Sequence, residues 1–155
     1  MPIVYVDSDW GGDCIDRKST LGFAVLLDRR AISWDSKKQT SVSLLTVETE
    51  FIATSIAVKE ILWYQSLFRS LDMTLTSPTL LLINNQGALD LIKSRQINDC
   101  TKHIDIKFRH VCDQEDKETI SSQHVAMQEQ IADIMTKLPS AKKFSYFREI
   151  IGVHA

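Results

Sequence analysis

Leu80-Leu81-Leu82-Ile83 is the segment that most narrows what this chain can fold into. The run is apolar without alternation, and it is bounded by Thr76-Ser77-Pro78 on one side and Asn84-Asn85 on the other. It is too short for a helix, and it lacks the polar positions that a strand with one wet face requires. It therefore predicts a central strand covered on both faces, which demands a sheet with helices around it. The rest of the chain supplies both. Ile3-Val4-Tyr5-Val6-Asp7 is apolar and β-branched and runs into the turn-prone Ser8-Asp9-Trp10-Gly11-Gly12. Gly22-Phe23-Ala24-Val25-Leu26-Leu27 predicts a second strand, and Asp28-Arg29-Arg30 turns the chain into a third at Ile32-Ser33-Trp34. From about Leu45 to Leu71 the period changes. Phe51, Ile52, Ile56, Ile61, Leu62, Leu67 and Leu71 form an apolar stripe at roughly helical spacing, giving one long helix or two. After the buried run, Asn84-Asn85 is a helix-start signal, with Ala88, Leu89 and Ile92 on the covered side. A basic amphipathic segment spans Thr101 to Lys117, a last strand Ile120 to Val125, and helices Gln128 to Lys137 and Ala141 to Ile151. Hairpin-linked strands followed by β-α units predict an α/β fold with a mixed sheet.

Composition fits one domain over residues 1–155. The 155 residues are 44% hydrophobic with only 5 Gly and 3 Pro, enough to bury a core and unlike a disordered chain. Charge is near balance, 18 Lys+Arg against 20 Asp+Glu, so a uniformly basic nucleic-acid arm is excluded and a local basic face is not. No apolar run approaches the ~20 residues of a membrane span. The start, Met1-Pro2-Ile3-Val4, has no basic and then apolar stretch of a secretory signal. Cys14, Cys100 and Cys112 are odd in number without metal-type spacing, so reduced thiols in the cytoplasm or nucleus are expected.

The acids carry the functional signal. Asp7 ends the first strand, Glu50 begins the long helix's apolar stripe, and Asp133 lies in Ile131-Ala132-Asp133-Ile134-Met135. Asn84 stands at the end of the buried strand, where another acid would be expected. A carboxylate among apolar residues is costly unless it is paired, hydrogen-bonded or bound to a cation. Ligands of open α/β sheets collect beyond the carboxyl ends of strands, where Asp7 and Asn84 fall. Converging carboxylates would repel one another, and Mg²⁺ resolves that with hard oxygen ligands. Two such ions about 4 Å apart can clamp the attacking and leaving oxygens of a phosphodiester displacement. The competing reading makes each acid a cap or a solvated surface group.

Three strings resemble the ribonuclease H domain of copia-type retrotransposon polyproteins: Tyr5-Val6-Asp7-Ser8-Asp9-Trp10-Gly11-Gly12-Asp13, Asp16-Arg17-Lys18-Ser19-Thr20-Leu21-Gly22 and Ile32-Ser33-Trp34-Asp35-Ser36-Lys37-Lys38-Gln39. So do Val47-Glu48-Thr49-Glu50-Phe51-Ile52-Ala53, Asn84-Asn85-Gln86, Thr101-Lys102-His103-Ile104-Asp105-Ile106 and Gln130-Ile131-Ala132-Asp133-Ile134-Met135-Thr136-Lys137, in order from about Val4 to Gly152. The resemblance implies a ribonuclease H-like fold: a five-stranded mixed sheet, first three strands antiparallel, flanked by helices. It implies hydrolysis of the RNA strand of RNA:DNA hybrids with two Mg²⁺ or Mn²⁺ ions, carried by Asp7, Glu50, Asn84 and Asp133. Glu48 is the rival to Glu50, but two residues so spaced on a helix differ by about 200° and cannot share a face. The family has Asp-Asn-Gln where this chain has Asn84-Asn85-Gln86. One charge is lost there, by natural lesion or by introduced substitution, and weaker metal binding and crippled cleavage follow. Asp9 could compensate if the first strand extends that far.

For the hybrid, phosphates and 2′-hydroxyls are the expected targets. The candidates are Arg17, Lys18 and Ser19, then Ser36, Lys37 and Gln39, then Gln86, and Lys102 with His103; solvated loop chemistry is the alternative for each. His103 is read as structural before catalytic, Trp34 as core and Trp10 as a site wall. Three functions compete: a hybrid-cutting endoribonuclease, an inactive ribonuclease H-like module that binds without cutting, and an interaction domain. In the last, the helix bearing Phe144, Tyr146, Phe147, Ile150 and Ile151 docks on an adjacent reverse transcriptase domain. Retrotransposon particles in the cytoplasm or nucleus are the implied location, with no membrane partner.

Overall fold

A computed structural model of the chain describes residues 1–40, 45–96 and 105–153. The element order is β1 (Pro2–Asp9), β2 (Thr20–Leu27), β3 (Arg30–Lys38), α1 (Thr46–Ser70), β4 (Thr79–Ile83), α2 (Gln86–Ser94), α3 (Asp105–Asp116), β5 (Ile120–His124), α4 (Asp133–Thr136) and α5 (Ala141–Ile150). The five strands form one mixed sheet in the order β3-β2-β1-β4-β5. β1, β2 and β3 pair antiparallel, whereas β4 runs parallel to both β1 and β5. The α/β expectation and the antiparallel start are thus what the chain adopts.

Period-2 alternation sorts the sheet into two faces. Val4, Val6, Phe23, Val25, Leu81 and Ile83 point into the larger core, against Phe51, Ala57, Val58 and Ile61 of α1, Ile92 of α2 and Phe108 and Val111 of α3. Ala24 and Leu26 point the other way and meet Ile131 and Phe147, with Tyr5, Ile134, Ile150 and Ile151 packed around them. β4 is central in the sheet, yet only Thr79, Leu81 and Ile83 are fully buried, while Leu80 and Leu82 are half-buried. The expected double coverage is incomplete because α4 packs on β1, β2 and β3 and leaves that face of β4 partly open.

α1 is a single unbroken helix, consistent with the absence of Gly and Pro from its 25 residues. Asn85, not Asn84, caps α2, accepting the Ala88 N–H at 3.0 Å. That leaves the Asn84 side chain available beyond the end of β4.

Two expectations are corrected. Trp34 is 61% exposed and not a core residue. The β2–β3 register shifts between Val25 and Leu26, leaving Ile32 without a ladder partner. Ile32 packs toward α1, Ser33 bonds Glu60 of that helix, and Trp34, opposite Ala24, falls on the other face at an edge strand. The predicted helix from Gln128 to Lys137 is only the single turn of α4. Buried Gln130 donates from Nε2 to the Val6 carbonyl at 2.7 Å, and Ile134 and Met135 bond back three residues rather than four. The side chain's hook on β1 outcompetes a regular helix there.

Candidate active site

β1 runs two residues beyond Asp7, so Asp7 pairs with Gly22 inside the ladder rather than ending the strand. The parallel pairing with β4 does stop just before it, at Val6 and Ile83. Asp7 therefore stands where β1 and β4 part, on the face that α4 covers. Gly22 makes this coverage close. A Cβ at Gly22 would lie 2.7 Å from the Thr136 methyl and 2.8 Å from the Met135 Cβ. Ser36, opposite Gly22, donates to the Met135 carbonyl at 2.5 Å and pins the same turn.

The four predicted site positions come together at this end of the sheet. Asp7, Glu50 and Asp133 are 0%, 3% and 4% exposed. The Asn84 amide donates from Nδ2 to Asp7 Oδ1 at 2.9 Å. Glu50 reaches across from α1, and its Oε1 accepts the Ser8 N–H at 3.2 Å. Lys137 Nζ lies 3.0 Å from Asp7 Oδ2 and 3.0 Å from Asp133 Oδ1, so one ammonium spans the two aspartates. Thr136 Oγ1 donates to Asp7 Oδ2, and Lys143 of α5 pairs with Asp133 Oδ2. Two buried acceptors are left over: Glu50 Oε2 and Asn84 Oδ1 have no hydrogen-bond partner.

Burial shapes the protonation of this cluster. Glu50 is pushed up to about 8, first by desolvation and then by the negative charge of Asp7, with the Ser8 donor and the positive charge of Lys137 pulling back. The Asp7 carboxyl is also raised by burial, against the lowering influence of Thr136 and Lys137. For Lys137, burial works against the charge, but Asp7 and Asp133 outweigh it and hold the ammonium above its ordinary range. Among the described residues no three acidic, His or Cys side chains form a ready-made metal cluster. The donor set nevertheless suits a hard cation, because two buried oxygens lack a donor and one buried acid is forced toward neutrality.

Other predicted positions distribute unevenly. Glu48 is half-buried in the first turn of α1, and Glu50 is the residue that faces the cluster. β1 does extend to Asp9, but that carboxylate leans over the turn, where a Cβ on Gly12 would sit 1.8 Å from its Oδ2. Ser19 is buried and its hydroxyl accepts the Gly11 N–H at 3.1 Å, so it shapes the β1–β2 turn instead of offering itself to a ligand. Gln39 is likewise buried. Arg17 and Lys37 are exposed, Lys18 is half-buried 3.8 Å from Asp16, and Gln86 donates to Asp90 at 2.7 Å. Trp10 is 44% exposed at the turn after β1. Lys102 and His103, like Cys100, lie outside the described residues. Cys14 and Cys112 are free thiols, exposed and buried respectively.

Thr136, Lys137 and Lys143 were not anticipated as site residues. The first two follow Asp133 by three and four positions, a spacing that places neighbours on one helical face. Lys143 comes from a separate element, and no local spacing announces it.

The fold has solved counterparts. It matches that of ribonuclease H: a crystal structure of LC11-RNase H1 in complex with an RNA/DNA hybrid superposes with a TM-score of 0.62 at 11% identity, over 88% of this chain and 94% of that one. Prototype foamy virus protease-reverse transcriptase matches over 99% of this chain and 20% of that one, at 14% identity and a TM-score of 0.55. No protein-family model matches the chain. Its homologues are plant retrotransposon Pol polyproteins. That of transposon TNT 1-94 of Nicotiana tabacum is 32% identical over 97% of this chain and 11% of its own length. That of transposon RE1 of Arabidopsis thaliana is 35% identical over 96% of this chain and 10% of its own. The chain thus spans about a tenth of the length of these curated relatives.

Proposed function

We propose that this chain is the ribonuclease H part of a copia-type retrotransposon polyprotein and hydrolyses the RNA strand of RNA:DNA hybrids formed in reverse transcription, at a rate lowered by Asn84. The observation that carries this is the meeting of Asp7 of β1, Glu50 of α1, Asn84 just past β4 and Asp133 of α4 where β1 and β4 part, with the three acids buried. Divalent cations, Mg²⁺ or Mn²⁺, would be held by oxygens of these four side chains and would supply positive charge to the attacking and leaving oxygens of the phosphodiester. The protein's own part is to place those oxygens. The Ser8 N–H orients Glu50, Thr136 and the Asn84 amide orient Asp7, and Lys143 orients Asp133. Arg17, Lys18, Lys37 and Gln86 are the candidates for holding the hybrid's phosphates and sugars. The hybrid is the proposed substrate, and an adjoining reverse transcriptase domain the proposed neighbour, in particles inside the cell.

A second reading is favoured by one specific feature. Asn84 gives the site a neutral amide, and that amide spends its N–H on Asp7. That composition suits a ribonuclease H-like module that grips the hybrid without cutting it. A labelled RNA:DNA duplex assayed with Mg²⁺ and Mn²⁺ separates the two. The enzyme reading expects measurable cleavage that rises at least tenfold in Asn84→Asp. The binding-module reading expects hybrid affinity with no cleavage in the unaltered chain. Equal rates in the two chains would contradict the role given to Asn84.

A further inference from the structure

We propose that Lys137 is a built-in counter-cation of the acid centre, which an incoming divalent ion must displace. The inference rests on the cation-binding reading above and adds a residue that opposes it. Lys137 Nζ bridges Asp7 and Asp133 at 3.0 Å each, and its distance to the second Asp7 oxygen is 3.2 Å. With it in place every oxygen of both aspartates has a donor: the Asn84 amide and Lys137 on Asp7 Oδ1, Thr136 and Lys137 on Asp7 Oδ2, Lys137 on Asp133 Oδ1 and Lys143 on Asp133 Oδ2.

Among the described residues, the oxygens of the four site side chains that lack a donor are Glu50 Oε2 and Asn84 Oδ1, and Glu50 is 3% exposed. A cation drawn to those two atoms completes its oxygen shell only by taking aspartate oxygens from a lysine. Lys137 is the one that can yield. Among the described residues its ammonium is held by the two aspartates alone, and its side chain is 36% exposed, so the flexible stem can swing to solvent. Lys143 is anchored three ways, by Asp133, by the Met127 carbonyl at 3.3 Å and by the Phe147 ring 5.3 Å beneath its Nζ.

The test is Lys137→Met, which keeps the length and apolar stem and removes the charge, with Lys137→Arg as the charge-retaining control. Two readouts need no substrate: Tm in EDTA, and Mn²⁺ affinity by calorimetry. The expectation is opposite signs. Lys137→Met melts several degrees lower in EDTA yet binds Mn²⁺ at least tenfold tighter than the unaltered chain, whereas Lys137→Arg stays weak. A merely structural ion pair lowers Tm without tightening Mn²⁺ binding, and that result overturns the proposal. Should Lys137→Met not fold, amine labelling of the unaltered chain read by mass spectrometry decides. Lys137 labelling must accelerate on adding saturating Mg²⁺ while Lys18 labelling does not, and an unchanged or slower Lys137 rate overturns the proposal. Equal Mn²⁺ affinity in the unaltered chain and Lys137→Met removes the Lys137 role alone. Absence of Mn²⁺ binding from both chains removes the cation site of the preceding subsection as well.

Discussion

Glu50 illustrates how a single side chain couples chemistry to stability. Its folded-state value of about 8 lies above the ordinary glutamate value of 4.5, so the folded protein holds this proton more tightly than the unfolded chain does. The stability contributed is complete below the unfolded value and is lost as pH rises through the folded one. Metal-free protein should therefore lose on the order of a few kcal/mol between about pH 4.5 and 8, and urea titrations of Glu50→Gln in EDTA should show a clearly smaller loss. Gln preserves the acceptor for the Ser8 N–H, so the variant isolates the charge. A divalent ion that recruits Glu50 must expel the proton, and Mn²⁺ affinity should climb from pH 6 to pH 8 in the unaltered chain. At this scale the sequence was informative for acids and silent for cations. The company of Glu50 and Asp133 marked them as costly to bury. Nothing local indicated that Lys143 would cross from α5 to neutralise Asp133.

Among the elements, α4 is the least regular and the most consequential. One turn long, it is held down by the Ser36 hydroxyl on the Met135 carbonyl and admitted by the missing side chain at Gly22. Gly22→Ala should lift it from β2, costing about 1–3 kcal/mol by overpacking and depressing Mn²⁺ binding more than a core variant of equal instability. Thermal melts paired with calorimetry check both halves. Asn85→Ala should cost about 1 kcal/mol through the lost α2 cap while leaving the acid centre intact, measurable as lower stability with unchanged Mn²⁺ affinity. Element types were readable because the hydrophobic period changes cleanly from two to about 3.6 near Leu45. The misreadings have local causes that a periodic pattern does not carry. The Ile32 register shift reverses the side of Trp34, and the buried Gln130 replaces helix hydrogen bonds with a bond to β1.

For the molecule as a whole, near-neutral net charge would confine the proposed nucleic-acid affinity to a local surface. The proposed hybrid binding through Arg17, Lys18 and Lys37 should weaken as salt rises, and a triple Ala variant at these positions should show a flatter slope of log affinity against log salt. Filter binding at several salt concentrations measures it. The likeness to retrotransposon Pol sequences was legible because several motifs occur in fixed order along nearly the whole chain. No single string of the set carries comparable weight.

The acid centre draws on positions 7, 50, 84 and 133, supplied by both faces of the sheet. Such a centre has no existence in any fragment: neither the N-terminal hairpin nor the C-terminal helices could assemble it alone. Its appearance during refolding is therefore a late event, and Mn²⁺ quenching of a nearby fluorophore would time the closing of the whole molecule rather than the growth of one part.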